Sequence, residues 1–228
     1  MAEFAFDPKT QRFRYTSGSR AGQFVSRTNV QNLVETKIKL TKQDINTITN
    51  LLLQNKITTA TWYDAMSQAI KQGQIQAYLA GKGGTYQFKS RDKGIIGKAL
   101  VDEYMYLRRF AQEIEDGKLS ARQIKDRASK YGDSFHKIYE RGRAEAHKEN
   151  GYFWERWVTS KDEKICPDCV GYGSMSWQRI GSLPGIGVAT ACKMRCRCHK
   201  DYSKELNKPN LSSVNSVSFL FSKNGWLK

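Results

Sequence analysis

The chain of 228 residues carries 38 Lys and Arg against 22 Asp and Glu, a formal charge of +16 at pH 7 and a pI near 9.7. That excess points to a polyanionic partner but carries no information on fold. With 39% hydrophobic and 11% aromatic residues the composition excludes a wholly disordered chain, and no run approaches the roughly 18 to 20 apolar residues of a membrane-spanning helix.

The charge is unevenly spread. Residues 101–150 hold eleven basic and ten acidic side chains, whereas residues 151–228 hold twelve and six, so the middle is nearly neutral and the flanks are basic. The opening Met1-Ala-Glu-Phe-Ala-Phe-Asp7 lacks the basic segment and apolar stretch of a secretion signal, so the expected compartment is reducing and cytosolic.

In chain order, residues 1–40 are polar, with Phe13, Tyr15 and Phe24 isolated among Gly and Ser, and without sustained period. They read as an extended basic arm. The pattern changes at Thr41-Lys-Gln-Asp44, which resembles a capping box, and Ile45, Ile48 and Leu52 predict a helix to about Asn55. A second helix is predicted over about 59–79, with Trp62, Met66, Ala69 and Gly73 on one face, before Gly81-Lys-Gly-Gly84 breaks the chain. That break is not a phosphate-binding loop, because Lys82 is followed by Gly83 rather than Ser or Thr.

Leu100, Tyr104, Leu107, Ala111 and Ile114 are spaced 4-3-4-3 and predict a third helix, stopped by Gly117. Ser120-Ala-Arg-Gln123 then forms a capping box, and Ile124, Ala128, Tyr131, Phe135 and Ile138 repeat the spacing as far as Gly142. Two helices with facing seams and a short link are expected to pack antiparallel. Past Gly151, Tyr152-Phe-Trp-Glu-Arg-Trp-Val158 alternates Trp154, Arg156 and Val158 against Phe153, Glu155 and Trp157, as a short strand does. The chain closes on Val217-Ser-Phe-Leu-Phe-Ser222, whose Val217, Phe219 and Phe221 share one face if extended. The expected fold is thus mainly α: a helical domain at 41–150, a small zinc-stapled module with β structure at 151–202, and a tail at 203–228 with a candidate strand.

All five cysteines fall between Cys166 and Cys198. In a reducing compartment such a cluster is a metal site more often than a disulfide framework. Cys166-Pro-Asp-Cys169 is a C-x-x-C knuckle, and Cys192-Lys-Met-Arg-Cys196-Arg-Cys198-His199 follows it. Two residues between thiolates allow a tight turn that aims both sulfurs at one ion, and a second pair completes a tetrahedron, so one structural zinc is expected. Cys166, Cys169, Cys192 and Cys196 are the favoured ligands, with Cys198 and His199 as alternates. Lys193, Arg195, Arg197, Lys200, Lys204 and Lys208 form a candidate phosphate-contacting strip around the site.

A thioredoxin-type role is disfavoured because no βαβ pattern surrounds the knuckle, and no H-E-x-x-H motif is present. His136 and His147 join no set of nucleophile, base and orienting group. The sequence therefore reads as a non-enzyme.

The stretch Trp154-Glu-Arg-Trp-Val-Thr-Ser-Lys-Asp162, the knuckle Ile165-Cys-Pro-Asp-Cys169 and the closing Cys196-Arg-Cys198, placed after long helices, resemble the C-terminal half of tailed-phage head-morphogenesis proteins, minor head proteins similar to the phage Mu F protein. The resemblance covers about residues 125–200. It departs where the family pattern has His-Pro-x-Cys-Arg-Cys: here Lys193 stands three before Cys196, and Cys192 one residue earlier. If the family His is a ligand, Cys192 replaces it. The resemblance implies a minor head protein of the virion, present in multiple copies, assembled in the host cytoplasm with capsid and portal proteins and in contact with double-stranded DNA during packaging. The alternative from the basic strip is a zinc-dependent nucleic-acid-binding protein outside the virion.

Overall fold

A computed structural model describes residues 4–7, 12–15, 27–83, 89–160 and 164–205, the backbone alone before residue 36. The first described elements are strands β1 (Phe4–Asp7) and β2 (Arg12–Tyr15), an antiparallel pair with Phe4 opposite Tyr15. Helix α1 runs over Arg27–Leu53. The expectation of an extended arm to residue 40 is therefore corrected: the arm holds an antiparallel strand pair, and its last part is helix. Thr41 is not a cap but a buried position inside α1. In its early turns Val30, Leu33, Val34 and Ile38 stand at helical spacing, a short signal diluted by the polar residues around them. Asn55, at φ 55°, ends that helix.

Helix α2 (Thr59–Gly81) starts where Thr58 accepts the Thr61 amide at 3.2 Å. Helix α3 (Ser90–Glu115) begins ten residues before the first residue of the predicted stripe, Leu100, with Asp92 accepting the Lys89 amide at 2.9 Å. Gly117, at φ +65°, takes the left-handed position that terminates it. Helix α4 (Ala121–Glu149) opens on the Ser120/Gln123 capping box read from the sequence. Gly142, where the predicted stripe ends, lies in its interior.

The reason a glycine stands there is the crossing of α2 and α4, the most extensive helix–helix contact among the described residues. A Cβ on Gly142 would meet the Tyr78 carbonyl oxygen at 2.3 Å, and one on Gly81 the Tyr139 carbonyl at 2.0 Å. A Cβ on Gly73 would fall on the Phe135 ring, so that glycine is the slot into which Phe135 packs. Helices α3 and α4 do run antiparallel, with Arg91 paired to Glu145 at one end and Arg127 to Glu113 at the other. Their backbones, however, touch over only a few residues, because α2 takes the facing position on α4.

The core of this body is Trp62, Met66 and Ile70 of α2, Leu107 and Phe110 of α3, and Ala128, Phe135 and Ile138 of α4, with Ile45 from α1. Trp62 meets Phe110 edge-on at 5.3 Å, and Phe110 stacks on Tyr131 at 6.4 Å. Where α2, α3 and α4 meet at one end, the Lys82 ammonium sits between Asp92 (3.2 Å) and Glu149 (2.7 Å), while the Tyr78 hydroxyl donates to Asp92. Burial alone would raise the Asp92 pKa, but the Tyr78, Lys89 and Lys82 donors outweigh it and hold the carboxyl below its usual value.

After α4 comes a second, separate core. Strand β3 (Trp154–Val158) is the centre of a three-stranded antiparallel sheet between β4 (Gln178–Arg179) and β5 (His199–Ser203). Between β3 and β4 lies the short helix α5 (Pro167–Gly173). The structure is thus mainly helical with a small C-terminal β-containing module, as the sequence predicts. No described helix is long and apolar enough to cross a membrane. The candidate strand at Val217–Ser222 lies outside the described residues.

Candidate metal centre

Two turns bring the cysteines together. Cys166 precedes α5, whose Pro167 supplies the fixed φ that suits a first helical position, and Cys169 sits on the first turn. Opposite, a 3-10 turn over Lys193–Arg195 separates Cys192 from Cys196. Lys193 adopts φ +45°, and Gly187, at φ +69°, passes so close to the Lys193 carbonyl that a Cβ would lie 2.5 Å from it. The turns are tied directly: an Asp168 carboxylate oxygen accepts the Ala191 amide at 2.7 Å.

Sulfur separations are 3.5 Å for Cys166 to Cys192, 3.6 Å for Cys169 to Cys192 and 3.7 Å for Cys169 to Cys196. A disulfide needs about 2.05 Å, whereas thiolates about 2.3 Å from one tetrahedral ion lie roughly 3.8 Å apart. All five thiols are free. Cys166, Cys169 and Cys192 form one group with sulfurs within 4.8 Å of one another, and Cys169, Cys196 and Cys198 a second. Cys169 belongs to both. These five cysteines could hold a metal ion.

The environment differs from one sulfur to the next. Burial alone would raise the Cys166 thiol, but the Cys169 and Cys192 amides and the neighbouring thiols outweigh it, and its pKa falls to about 7. Cys196 is pushed up to about 12, chiefly by burial, and Cys169 is raised for the same reason together with the thiols around it. A cation replacing the thiol protons would relieve this crowding, since thiolates are the metal-binding form.

His199 does not join these groups; its Nε2 lies 3.7 Å from Asp201. Of the candidate phosphate strip, Lys193, Arg195, Arg197 and Lys204 are exposed. Lys204 stands over the Tyr152 ring at 5.3 Å, and Lys208 lies outside the described residues. Lys200 corrects the charge-based reading. Its side chain is buried, 3.0 Å from the Glu155 carboxylate and 3.1 Å from the Leu183 carbonyl. Burial pulls its pKa down, with Glu155 opposing. The second Glu155 oxygen accepts the Gly181 and Leu183 amides at 2.9 and 2.8 Å, so one carboxylate ties β3 to the loop after β4 and to β5.

Three supporting residues were not assigned to the site from the sequence. His136 Nε2 lies 2.9 Å from the Cys198 carbonyl oxygen, which docks the module on α4. Glu140 of α4 accepts the Lys200 amide at 3.4 Å. Glu155 had a signal, a carboxylate on the Phe153 and Trp157 face of a predicted strand, whereas His136 and Glu140 had none. Trp157, Leu183 and Ile186 back the sulfurs, with Tyr172 5.1 Å from Trp157.

Fold and site together define a class: a body of long helices whose last helix carries a small sheet module built on a five-cysteine cluster able to hold a metal. Comparison of the chain with protein-family models, curated proteins and solved structures finds no match.

Proposed function

We propose that this protein is a structural component of a tailed-phage head, a minor head protein associated with capsid and portal, and that its cysteine cluster holds one zinc ion. The observation that supports it most is the convergence of Cys166, Cys169, Cys196 and Cys198, the cysteines on which the resemblance rests, together with Cys192, into one cluster docked against the side of a long helix at His136. In this reading Cys166, Cys169, Cys192 and Cys196 ligate the metal, Cys198 is a further thiol within reach, and the ion staples a small module that could not hold its fold with so small a core. The protein then acts as a non-catalytic adaptor present in multiple copies, assembled in the host cytoplasm and retained in the head. Quantitative mass spectrometry of purified heads and assembly intermediates tests this; absence of the chain from both refutes it.

A second reading has its own observation, the exposed Lys193, Arg195 and Arg197 beside the cluster and Lys204 beyond the far end of β5. They suit phosphates of double-stranded DNA, within the packaging head or as a nucleic-acid-binding protein outside the virion. Four such contacts weaken binding by about a hundredfold between 50 and 200 mM salt. Sequence-selective binding that survives 200 mM salt favours the second setting, and weak, sequence-independent binding favours the head.

A further inference from the structure

The small sheet has two unlike faces. Glu155, Trp157 and Lys200 are buried on one side. The residues that alternate with them, Trp154, Arg156 and Val158 of β3 and His199 and Asp201 of β5, form the other. There the Arg156, Asp201 and His199 side chains keep 49, 38 and 42% of their surface in solvent, so this face is open. Trp154 lies on it and Trp177 at its edge, each with a guanidinium over its ring. Arg179, the cross-strand partner of Trp154, stands 4.7 Å from that ring centre, and Arg156 stands 4.9 Å from that of Trp177. Neither tryptophan belongs to the hydrophobic core of the module. Beside Trp177 a cavity of about 360 Å³ lies between Arg156–Val158 and Met175–Trp177. It is short, closed by the Glu155–Gln178 pairing at one end and by the contact of Gly173 with the Thr159 methyl group at the other, and its walls mix Arg156 and Ser176 with Val158 and Met175. Trp157 also lines it, and the buried indole N–H of that residue has no acceptor among the described residues. A space of this size and mixed lining suits one compact planar group that carries a hydrogen-bond acceptor.

We infer that this face binds single-stranded nucleic acid, with one base in the cavity beside Trp177 and Arg156 and a neighbouring base on Trp154. Aromatic rings flanked by guanidinium groups on an open sheet stack unpaired bases and neutralise the phosphates between them. Spacing selects the single strand. Trp154 and Arg156 are two residues apart on one strand, about 6.8 Å, whereas neighbouring bases of a duplex are stacked at roughly 3.4 Å. Two platforms so far apart are met only by bases that have been splayed out of a stack. Charge agrees, since Arg156 and Arg179 outnumber Asp201 on a chain of formal charge +16. A base carbonyl in the cavity supplies the acceptor that the Trp157 N–H lacks. This surface is distinct from the strip at Lys193, Arg195 and Arg197, and the inference stands independently of any role in a phage head.

The test uses the full-length, metal-loaded protein. Fluorescence anisotropy at about 150 mM salt compares labelled oligothymidylate of about 15 nucleotides, the matching oligouridylate and a DNA duplex of equal length. At least one single strand should bind about tenfold or more tightly than the duplex and quench tryptophan emission; whether it is the DNA or the RNA identifies the sugar. Trp154→Leu and Trp177→Leu should each weaken that binding by about tenfold, while Lys193→Gln/Arg195→Gln should leave the preference for single strands in place. Because loss of a tryptophan can disturb the module, the unmutated protein is also irradiated with 5-iodouracil-substituted oligonucleotide, and crosslinks should fall on Trp154 or Trp177. Duplex binding as tight as single-strand binding, unchanged affinity in both leucine variants, no binding of any probe, or crosslinks only to other residues would each overturn the inference. The two tryptophan–arginine pairs would then be cation–π contacts that only brace the sheet.

Discussion

Lys200 offers the sharpest test of the C-terminal module, because charge pattern and structure assign it opposite roles. As a phosphate contact its loss would leave stability unchanged; as the buried partner of Glu155 its loss should be costly. The variant is Lys200→Met, which keeps the aliphatic stem and removes the ammonium. Taking one member from a buried ion pair costs about 3–5 kcal/mol. The Glu155 carboxylate keeps the Gly181 and Leu183 amides on its other oxygen, while the Leu183 carbonyl loses its lysine donor. The lower end, about 3 kcal/mol, is therefore expected, roughly a hundredfold in the unfolding equilibrium. Urea titration followed by tryptophan fluorescence reads it, since Trp154, Trp157 and Trp177 lie in the module and Trp62 in the helical body. At a urea sensitivity of about 1 kcal/mol/M the midpoint should fall by about 3 M. Adding Glu155→Gln should recover part of the loss, because the remaining partner is then uncharged. Exposed Arg195→Ala should stay within about 0.5 kcal/mol of the parent. A Lys200→Met midpoint within about 0.5 M of the parent, with weakened DNA binding, would refute the buried-pair reasoning.

Three further outcomes follow from the same geometry. Protein purified under reducing conditions without chelator should carry about one zinc per chain, and Cys169→Ser, which removes the sulfur common to both groups, should lose most of it. Elemental analysis checks the metal, and far-UV circular dichroism should show the helical body retained, since its core includes no residue of the module. Gly142→Ala gains about 1 kcal/mol of helix propensity but drives a methyl group into the Tyr78 carbonyl at the α2–α4 crossing. A net loss of about 2 kcal/mol should lower Tm by roughly 4–8 °C in a scan; an unchanged or higher Tm would count against the close crossing. For Asp92, whose folded pKa lies below its ordinary 3.8, the stabilising contribution is complete well above that value and is lost as pH falls through the folded pKa. Asp92→Asn should therefore be less stable at neutral pH and lose less on acidification below pH 3.8, seen as converging thermal melts; parallel pH profiles for the two proteins would exclude this role.

Much of the fold was legible because local signals agreed with tertiary packing. Ser120 and Gln123 cap α4 as the pattern requires, Gly117 ends α3, and the alternation of Trp154–Val158 is a strand. The early turns of α1 were hard to read because Val30, Leu33, Val34 and Ile38, though at helical spacing, stand among polar residues, and the role of Gly142 at a close helix crossing has no signature in the sequence.

By itself the sequence determined the mainly helical class and the grouping of the cysteines, because apolar spacing and thiol spacing are one-dimensional patterns that follow from helix and turn geometry. Only the tertiary structure decided what lies opposite what. It set α2 rather than α3 against α4, excluded His199 from the sulfur groups, turned Lys200 inward to Glu155 and placed His136 under the Cys198 carbonyl. The physical reason is that a side chain's charge and polarity are fixed by its residue type, whereas its solvation and its partner are fixed by residues 45 to 62 positions away in the chain.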